Sequence, residues 1–343
     1  MLMRGGTSRG PFFQASDLPS DPQERNALLR SLMGSPDARQ IDGIGGAHPL
    51  TSKVAVVSPG AHGDCDVDYL FLQVTPDTGA VSDSQNCGNM LAGVGPFAIE
   101  RQLVRAGDTE TTVRVHMVNS GSRADLIVQT PGGRVTYGGD ARIDGVPGTH
   151  APVMQYYSGT AGAQCGQLLP TGNPTDYHEG RPCTLIDNGM PCVLIRAGVT
   201  GCSGHESPDD LENNPALKAC LESTRLWAGQ KMNLGDVSRK TIPKMCLISA
   251  PERGGIINTR TFIPHRVHQA IGVLAAASVA AACMLPDSVA AGLAAFEAGN
   301  PGPVNVEHPT GALAIELEWE DGRIIRTGIL RTANKLMDGL VFP

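Results

Sequence analysis

The chain has 343 residues, of which 41% are hydrophobic and 18% are charged. This composition supplies enough apolar side chains for packed cores and excludes an intrinsically disordered protein. The 27 basic and 34 acidic residues give a net charge of −7, and no run of basic residues is present, so neither nucleic acid nor an anionic membrane is expected as a partner.

The first half of the chain contains four elements in a recognisable order. A glycine-rich segment at 3–10 is followed by a strand at 51–59, which reads lysine, four apolar residues, serine and proline. An apolar helix is predicted at 87–103, and alternating residues at 113–117 and 124–129 predict a β-hairpin after it.

The second half repeats the same pieces. A strand with lysine, apolar residues, serine and proline lies at 242–251, an alanine-rich helix is predicted at 269–284, and a hairpin at 304–318 follows. This order predicts an internal duplication. We expect an α+β fold with two pseudo-symmetric domains, 1–165 and 166–335, each a mostly antiparallel sheet curled around a central helix. A final strand at 336–343 can return to the first domain, and the cleft between the domains is the expected active site.

The cysteines and the apolar segments indicate a cellular location. Nine cysteines are scattered without a C-x-x-C pair, so a structural zinc site is not expected and reduced thiols in the cytoplasm are. The first residues lack the apolar region of a secretory signal, and the most apolar stretch, 271–285, is too short to span a bilayer.

Cys87 is the strongest candidate for a reactive group, because it stands where the first apolar helix is expected to begin. Ser84 or Asn86 could cap that helix, and Gly88 would let a ligand approach the first-turn amides. The positive end of the helix dipole favours a thiolate, and the free N–H groups suit a carboxylate. The alternative is a buried structural cysteine.

Lys53 stands at the start of the buried strand in the first half. If it is partly desolvated near the cationic residues Arg4 and Arg9, a neutral amine could act as a base. The alternative is a strand-end lysine that reaches solvent, and Lys244 at the equivalent place in the second half shows that the position can be architectural.

Positive charge and free amides are also expected at two other places. The segment 3–10 combines glycines, hydroxyls and two arginines, which suits a carboxylate or a phosphate, although such a composition also makes ordinary turns and has no Walker lysine. Arg260 and His268 precede the second helix, where they could add donors for an anion. His265 and His268 are three apart, but no carboxylate joins them to make a metal site.

Four segments together resemble the 2-methylaconitate isomerase family, which has the diaminopimelate-epimerase-like fold. They are 3–10, 52–57, 86–90 and 169–173. The resemblance covers essentially the whole chain and implies a cofactor-free proton shift next to carboxylates, carried by Lys53 and Cys87. Diaminopimelate epimerases use a second cysteine at the second helix start. This chain has Gln269 to Gly272 there, which argues against amino-acid epimerisation.

The expected function is the keto–enol tautomerisation of 4-oxalomesaconate to 4-carboxy-2-hydroxymuconate, with no metal and no other cofactor. The alternatives are an allylic isomerase of aconitate, 2-methylaconitate or methylitaconate, and a non-catalytic carboxylate-binding protein. The partner would be a small unsaturated di- or tricarboxylate, and a homodimer is an open possibility. The expected substrate-binding residues are Arg4, Gly6, Thr7, Ser8, Ser84, Asn86, Gly88, Asn89, Arg260 and His268.

Overall fold

A computed structural model describes residues 1–61, 63–84, 86–295, 303–321 and 323–343. Its contacts divide the chain into two compact units. Unit 1 comprises Met1–Tyr156 and Leu330–Pro343, and unit 2 comprises Tyr157–Ile329. Within the described residues, no helix is both long and apolar enough to cross a membrane.

Unit 1 places seven strands and most of an eighth, β8, around a buried helix, α2. The elements are β1 (Leu2–Gly5), β2 (Ser8–Gln14), α1 (Pro22–Leu32), β3 (Lys53–Pro59), β4 (Val67–Val74), β5 (Val81–Ser82), α2 (Gly88–Glu100), β6 (Glu110–Met117), β7 (Ser122–Gln129) and β8 (Pro152–Ser158). The strand order is β1-β2-β3-β4-β6-β7-β8, and β5 pairs with β4. Every residue of α2 from Met90 to Ile99 is buried, as expected of a helix that is apolar on all sides.

Unit 2 has the same kind of organisation around the alanine-rich helix α5. Its elements are β9 (Asp176–His178), β10 (Arg181–Asp187), β11 (Pro191–Arg196), α3 (Pro208–Glu212), α4 (Pro215–Lys231), β12 (Lys244–Ser249), β13 (Ile257–Phe262), α5 (Val273–Met284), β14 (Val304–His308), β15 (Gly311–Glu320) and the first half of β16 (Arg323–Met337). The end of β16 belongs to unit 1, where it pairs with β1.

The two units share one pattern of strand pairing. In unit 1, β2 and β3 are parallel, β3 and β4 antiparallel, β4 and β6 parallel, and β6 and β7 antiparallel. In unit 2, β11 and β12, β12 and β13, β13 and β14, and β14 and β15 repeat these four relations in the same order. The repeated sequence pieces therefore form equivalent elements.

Both predicted apolar helices are shorter than the sequence suggested. α2 ends at Glu100 rather than at 103, and α5 begins at Val273 rather than at 269. The later start has a local cause, because Gly272 has extended backbone and the N–H of His268 donates to the carbonyl of Thr261.

The strand β3 is apolar along its length because both of its faces are covered. Val54 and Val56 on one face pack in a cluster with Leu29 of α1, whereas the opposite face of β3 and β4 carries Ala55 and Phe71 and contacts α2. A strand buried on both faces has a continuous apolar run instead of alternation. Lys53 is the first residue of β3 and lies two residues before Ala55, so the two side chains share the face of the sheet that contacts α2.

Candidate functional site

The hairpin of β1 and β2 lies directly on the first turn of α2. A Cβ added to Gly6 would stand 2.2 Å from Oδ1 of Asn89, and Gly6 has a φ of +50°, which other residues rarely adopt. The N–H of Thr7 donates to the same Oδ1 at 3.4 Å. Gly10 lies between the start of β3 and the first turn of α2, since its Cβ would meet both the carbonyl of Lys53 and the side chain of Met90. The glycines are therefore needed for close packing.

Cys87 is the N-cap residue of α2, and the residue is 8% exposed. No side chain caps the helix, so the first-turn N–H groups receive no side-chain acceptor from the described residues. The carbonyl of Cys87 accepts the N–H of Leu91 at 3.0 Å and the hydroxyl of Tyr69 at 3.2 Å. The next carbonyl, that of Gly88, accepts Nε2 of Gln155 at 2.7 Å.

The residues before Cys87 do not cap the helix, in contrast to the expectation for Ser84 and Asn86. The hydroxyl of Ser84 lies 2.9 Å from that of Ser82, and Nδ2 of Asn86 donates to Oγ of Ser120 at 2.5 Å. Both side chains are exposed; Ser84 pairs with the nearby Ser82, and Asn86 binds Ser120 in the turn between β6 and β7. The cap prediction was wrong, because neither side chain reaches the helix amides; their role in substrate binding stays a prediction.

Lys53 lies on the face of the sheet that contacts α2. In the antiparallel pair of β3 and β4, Lys53 is opposite Gln73, and Val57 is opposite Tyr69. Residues directly opposite each other share a face, so the side chains of Lys53 and Tyr69 are on one side of the sheet. Lys53 and Val57 are four positions apart, which is about 13 Å along the strand. The hydroxyl of Tyr69 reaches the backbone of Cys87.

The amino group of Lys53 is buried but has few polar neighbours among the described residues. The residue is only 8% exposed, and Nζ lies 4.9 Å from the ring centroid of Phe71. Among the described residues, no hydrogen bond or ion pair of Nζ is found. The lysine therefore does not reach freely into solvent, which was the alternative interpretation.

A buried glutamine that the sequence did not single out supports the segment before Lys53. Gln40 is 2% exposed and has a φ of +47°. Its Oε1 accepts the N–H of Ala47 at 2.9 Å and the hydroxyl of Ser52 at 2.6 Å, and its Nε2 donates to Ser35 at 3.0 Å. This side chain joins three parts of the loop that leads into β3.

Buried polar atoms in the hairpin indicate where an anion could bind. Nη1 of Arg4 donates to the carbonyl of Gly6 and to both oxygens of Thr332, but Nη2 of Arg4 and the hydroxyl of Ser8 are buried without a hydrogen-bond partner among the described residues. Burial lowers the pKa of Arg4. Burial and the charge of Arg4 also lower the pKa of His150, a neighbour that the sequence did not indicate.

In unit 2, Arg260 and His268 have partners of their own. Arg260 is 7% exposed, its Nε donates to the carbonyl of Glu206, and its Nη1 donates to Asn258 and to the carbonyl of Thr259. Burial, followed by the charge of Lys244, lowers the pKa of His268, whose Nδ1 accepts the N–H of Ala270. The role of these two residues in substrate binding stays a prediction.

The described residues contain no group of three or more His, Cys, Asp or Glu side chains placed to hold a metal ion. The groups that unit 1 offers for chemistry are the amine of Lys53, the thiol of Cys87, the guanidinium of Arg4 and the amides at the start of α2. A thiol and an amine can each give or take a proton, and positive groups with free N–H donors stabilise oxyanions and carboxylates.

Comparison with known proteins identifies close relatives over the full length. Residues 1–343 match the family model described as "PrpF protein". The chain is 56% identical to (4E)-oxalomesaconate Delta-isomerase of Novosphingobium sp. (strain KA1), over 100% of this chain and 96% of that protein. It is 53% identical to 4-oxalomesaconate tautomerase of Pseudomonas putida, over 99% of this chain and 94% of that protein.

The crystal structure of methylitaconate-delta-isomerase has the same fold. It matches 98% of this chain and 93% of its own chain, with a TM-score of 0.90 at 34% sequence identity. The predicted α+β fold of the diaminopimelate-epimerase type is confirmed, and the prediction of an isomerase agrees with the names of all three proteins.

Proposed function

The chain belongs to the PrpF family, as its motifs predict, and on that premise we propose that it is a cofactor-independent isomerase of 4-oxalomesaconate in which Lys53 and Cys87 move the proton. The observation that supports the proposal is that both groups adjoin α2. Lys53 is on the sheet face that contacts α2, and Cys87 precedes its first turn.

The reaction begins at the CH2 group between the keto carbon and the C=C bond. We assign Lys53 as the base that takes one proton there, which leaves an extended enolate with charge on the keto oxygen and the conjugated carboxylate. Cys87 then supplies a proton, and in the tautomerase reaction this proton goes to the keto oxygen. The net result for the substrate is a 1,3 proton shift with no change in composition. Lys53 ends as an ammonium and Cys87 as a thiolate, and one proton lost by Lys53 to water and one gained by Cys87 from water restore the enzyme; exchanging the roles of the two residues gives the same balance.

Unit 1 offers donors for the substrate carboxylates. Nη2 of Arg4 and the hydroxyl of Ser8 are buried without partners in the described chain, and the uncapped N–H groups of Gly88 and Asn89 lie at the positive end of α2. A carboxylate bound there satisfies donors that are costly to leave unpaired. Because the whole chain is net negative, this local positive charge must attract the polyanionic substrate.

A second candidate reaction uses the same enolate. If the proton is returned to the far carbon of the conjugated system instead of to oxygen, the C=C bond moves and the ketone remains. The 56% identity to a Delta-isomerase favours this outcome as much as the 53% identity to a tautomerase favours the first. The two reactions differ only in the atom that accepts the second proton.

The deciding experiment follows purified protein and 4-oxalomesaconate by proton NMR in D2O and by absorbance. A tautomerase gives the hydroxymuconate without deuterium on the far carbon, whereas a Delta-isomerase gives the ketone with deuterium there. Cys87→Ser and Lys53→Met are measured in parallel, and both should lose turnover. Methylitaconate and 2-methylaconitate test the sister reactions. Ligand binding without turnover of any of these would make the protein a carboxylate-binding protein and refute the proposal.

The role of Arg4 is tested by measuring KM and kcat separately. A contact that is equally strong in the ground and transition states affects KM alone. Arg4→Lys keeps the charge but loses the planar fork, so we expect a raised KM with little change in kcat. A fall in kcat with unchanged KM would instead place Arg4 among the groups that act only in the transition state.

A further inference from the structure

The start of α2 is held by two side chains from different strands of unit 1. Tyr69 of β4 donates its hydroxyl to the carbonyl of Cys87 at 3.2 Å, and Gln155 of β8 donates Nε2 to the carbonyl of Gly88 at 2.7 Å. Two strands, β6 and β7, lie between β4 and β8 in the sheet order. The first two carbonyls of the helix are thus bound from separate places.

These hydrogen bonds add to the bonds of the helix itself. The carbonyl of Cys87 already accepts the N–H of Leu91 at 3.0 Å, so the tyrosine hydroxyl binds its second lone pair. An N-cap side chain usually fixes the start of a helix, but the thiol of Cys87 makes no such bond. Tyr69 and Gln155 hold the backbone at this point instead.

Both tethers are buried. Tyr69 and Gln155 are each 0% exposed, so their polar groups cannot exchange these bonds for bonds to water. An unmade hydrogen bond in such surroundings is costly, which makes the tethered position strongly preferred. With the backbone of Cys87 fixed, the place of its sulfur depends on one side-chain torsion.

We propose that Tyr69 and Gln155 are positioning residues that hold the thiol of Cys87 where it can exchange a proton with the substrate. This inference rests on the proposed role of Cys87 in the reaction. Neither residue need touch the substrate. Tyr69 binds the carbonyl of Cys87 itself, and Gln155 binds the carbonyl of the next residue, Gly88. A small displacement of the helix start would move the thiol away from the helix amides.

The test compares Tyr69→Phe and Gln155→Met with Thr130→Val. Thr130 is also fully buried, and its hydroxyl donates to the carbonyl of Gly107 at 2.9 Å and lies 2.8 Å from the hydroxyl of Thr111, so the control loses buried hydrogen bonds outside the site. We expect Tyr69→Phe and Gln155→Met to lower kcat by about 10- to 100-fold, since a misplacement of 1 Å can cost about 100-fold. KM should stay near the parent value, and Thr130→Val should keep the parent kcat.

A second readout does not depend on activity. The rate at which iodoacetamide labels Cys87 is measured by mass spectrometry in folded samples. We expect it to fall several-fold in Tyr69→Phe and Gln155→Met and to stay unchanged in Thr130→Val, because only the two tether variants release the backbone that fixes the sulfur beside the first turn of α2.

The possible results separate the two proposals. If Cys87→Ser keeps its activity, the proposed function fails, yet the labelling rates still decide whether Tyr69 and Gln155 position the thiol. If Cys87→Ser is inactive but both tether variants match Thr130→Val in kcat and labelling, only the positioning inference is overturned. Tyr69→Phe removes a single oxygen and Gln155→Met is close to isosteric, so either folded variant is sufficient for the decision.

Discussion

Replacing Lys53 by Met should separate catalysis from stability, and Lys244→Met provides a matched control in the other repeat. Each lysine is the first residue of an equivalent strand, β3 or β12. Methionine keeps an unbranched stem of similar length and removes the amino group. If Lys53 is the base, kcat should fall by about 10²- to 10⁴-fold in Lys53→Met. Lys244→Met should retain nearly the parent kcat.

The two substitutions should affect stability differently, for reasons visible in the structure. Burying a polar group without a partner costs about 1–3 kcal/mol, so removing the amino group of Lys53 is favourable. Losing the contact of the amino group with the ring of Phe71 destabilises the folded protein by about 0.5–1 kcal/mol. The free energy of unfolding should therefore rise by roughly 0–2 kcal/mol. In Lys244→Met a hydrogen bond of Nζ to the carbonyl of Thr241, 2.7 Å long, is lost, which costs about 0.5–1.5 kcal/mol.

The assay combines steady-state kinetics with urea unfolding of the three proteins under one set of conditions. Inactivity together with unchanged or increased stability is the expected signature of a residue kept for function. Two results would refute this reasoning. Near-normal kcat in Lys53→Met would mean that another group is the base, and a loss of stability greater than in Lys244→Met would mean that Lys53 is structural.

Three further outcomes are expected. Of the nine thiols, only that of Cys220 is half-exposed, so in a Cys220→Ser background brief iodoacetamide treatment should modify Cys87 first, and mass mapping that finds another site would contradict this. Activity should survive dialysis against EDTA, because keto–enol proton transfer needs no redox centre; loss that zinc or manganese restores would disprove it. Burial alone would raise the pKa of Glu307, but hydrogen bonds from three loop amides and the charge of Arg253 outweigh burial and lower that pKa. The stability that ionised Glu307 gives the folded protein is therefore present at neutral pH and lost on acidification below about pH 4. Glu307→Gln should flatten this part of the stability curve in acid unfolding, and an unchanged slope would contradict the assignment.

The other cysteines differ in their access to the reagent. Cys165 and Cys202 lie in loops, but both are buried, so neither is expected to compete for the reagent. Burial, together with the nearby carboxylate of Asp187, raises the pKa of Cys165 to about 12. The relevant competitor is Cys220 on α4, which the sequence places in no special surroundings.

The sequence predicted the elements that have a strong local pattern. The strand at Lys53, the apolar helix after Cys87 and both hairpins follow from hydrophobic periodicity, and the duplication follows from their order. The ends of the helices did not follow, because the backbone of Gly272 and the bond between His268 and Thr261 depend on neighbouring strands.

The supporting residues of the site were missed for a different reason. Tyr69 and Gln155 lie in strands with their polar atoms on the inward face. The partners of these atoms cannot be predicted until the position of α2 is known. Gln40 lies in a loop without periodicity, and its three partners come from separate parts of that loop. A lone glutamine in an apolar strand, such as Gln155, is a usable clue, because a buried amide must find a partner.

The division of unit 1 into two chain segments has a consequence for biosynthesis. β1 pairs with the end of β16, and Arg4 donates to Thr332, yet all of unit 2 is translated between these partners. While the ribosome makes unit 2, the nascent β1 has one open edge, which is a template for wrong pairing with other chains. The guanidinium proposed to receive the substrate acquires its two bonds to Thr332 only when residues 330–337 emerge. Unit 2 can thus fold as an inserted body, and the site in unit 1 is completed last.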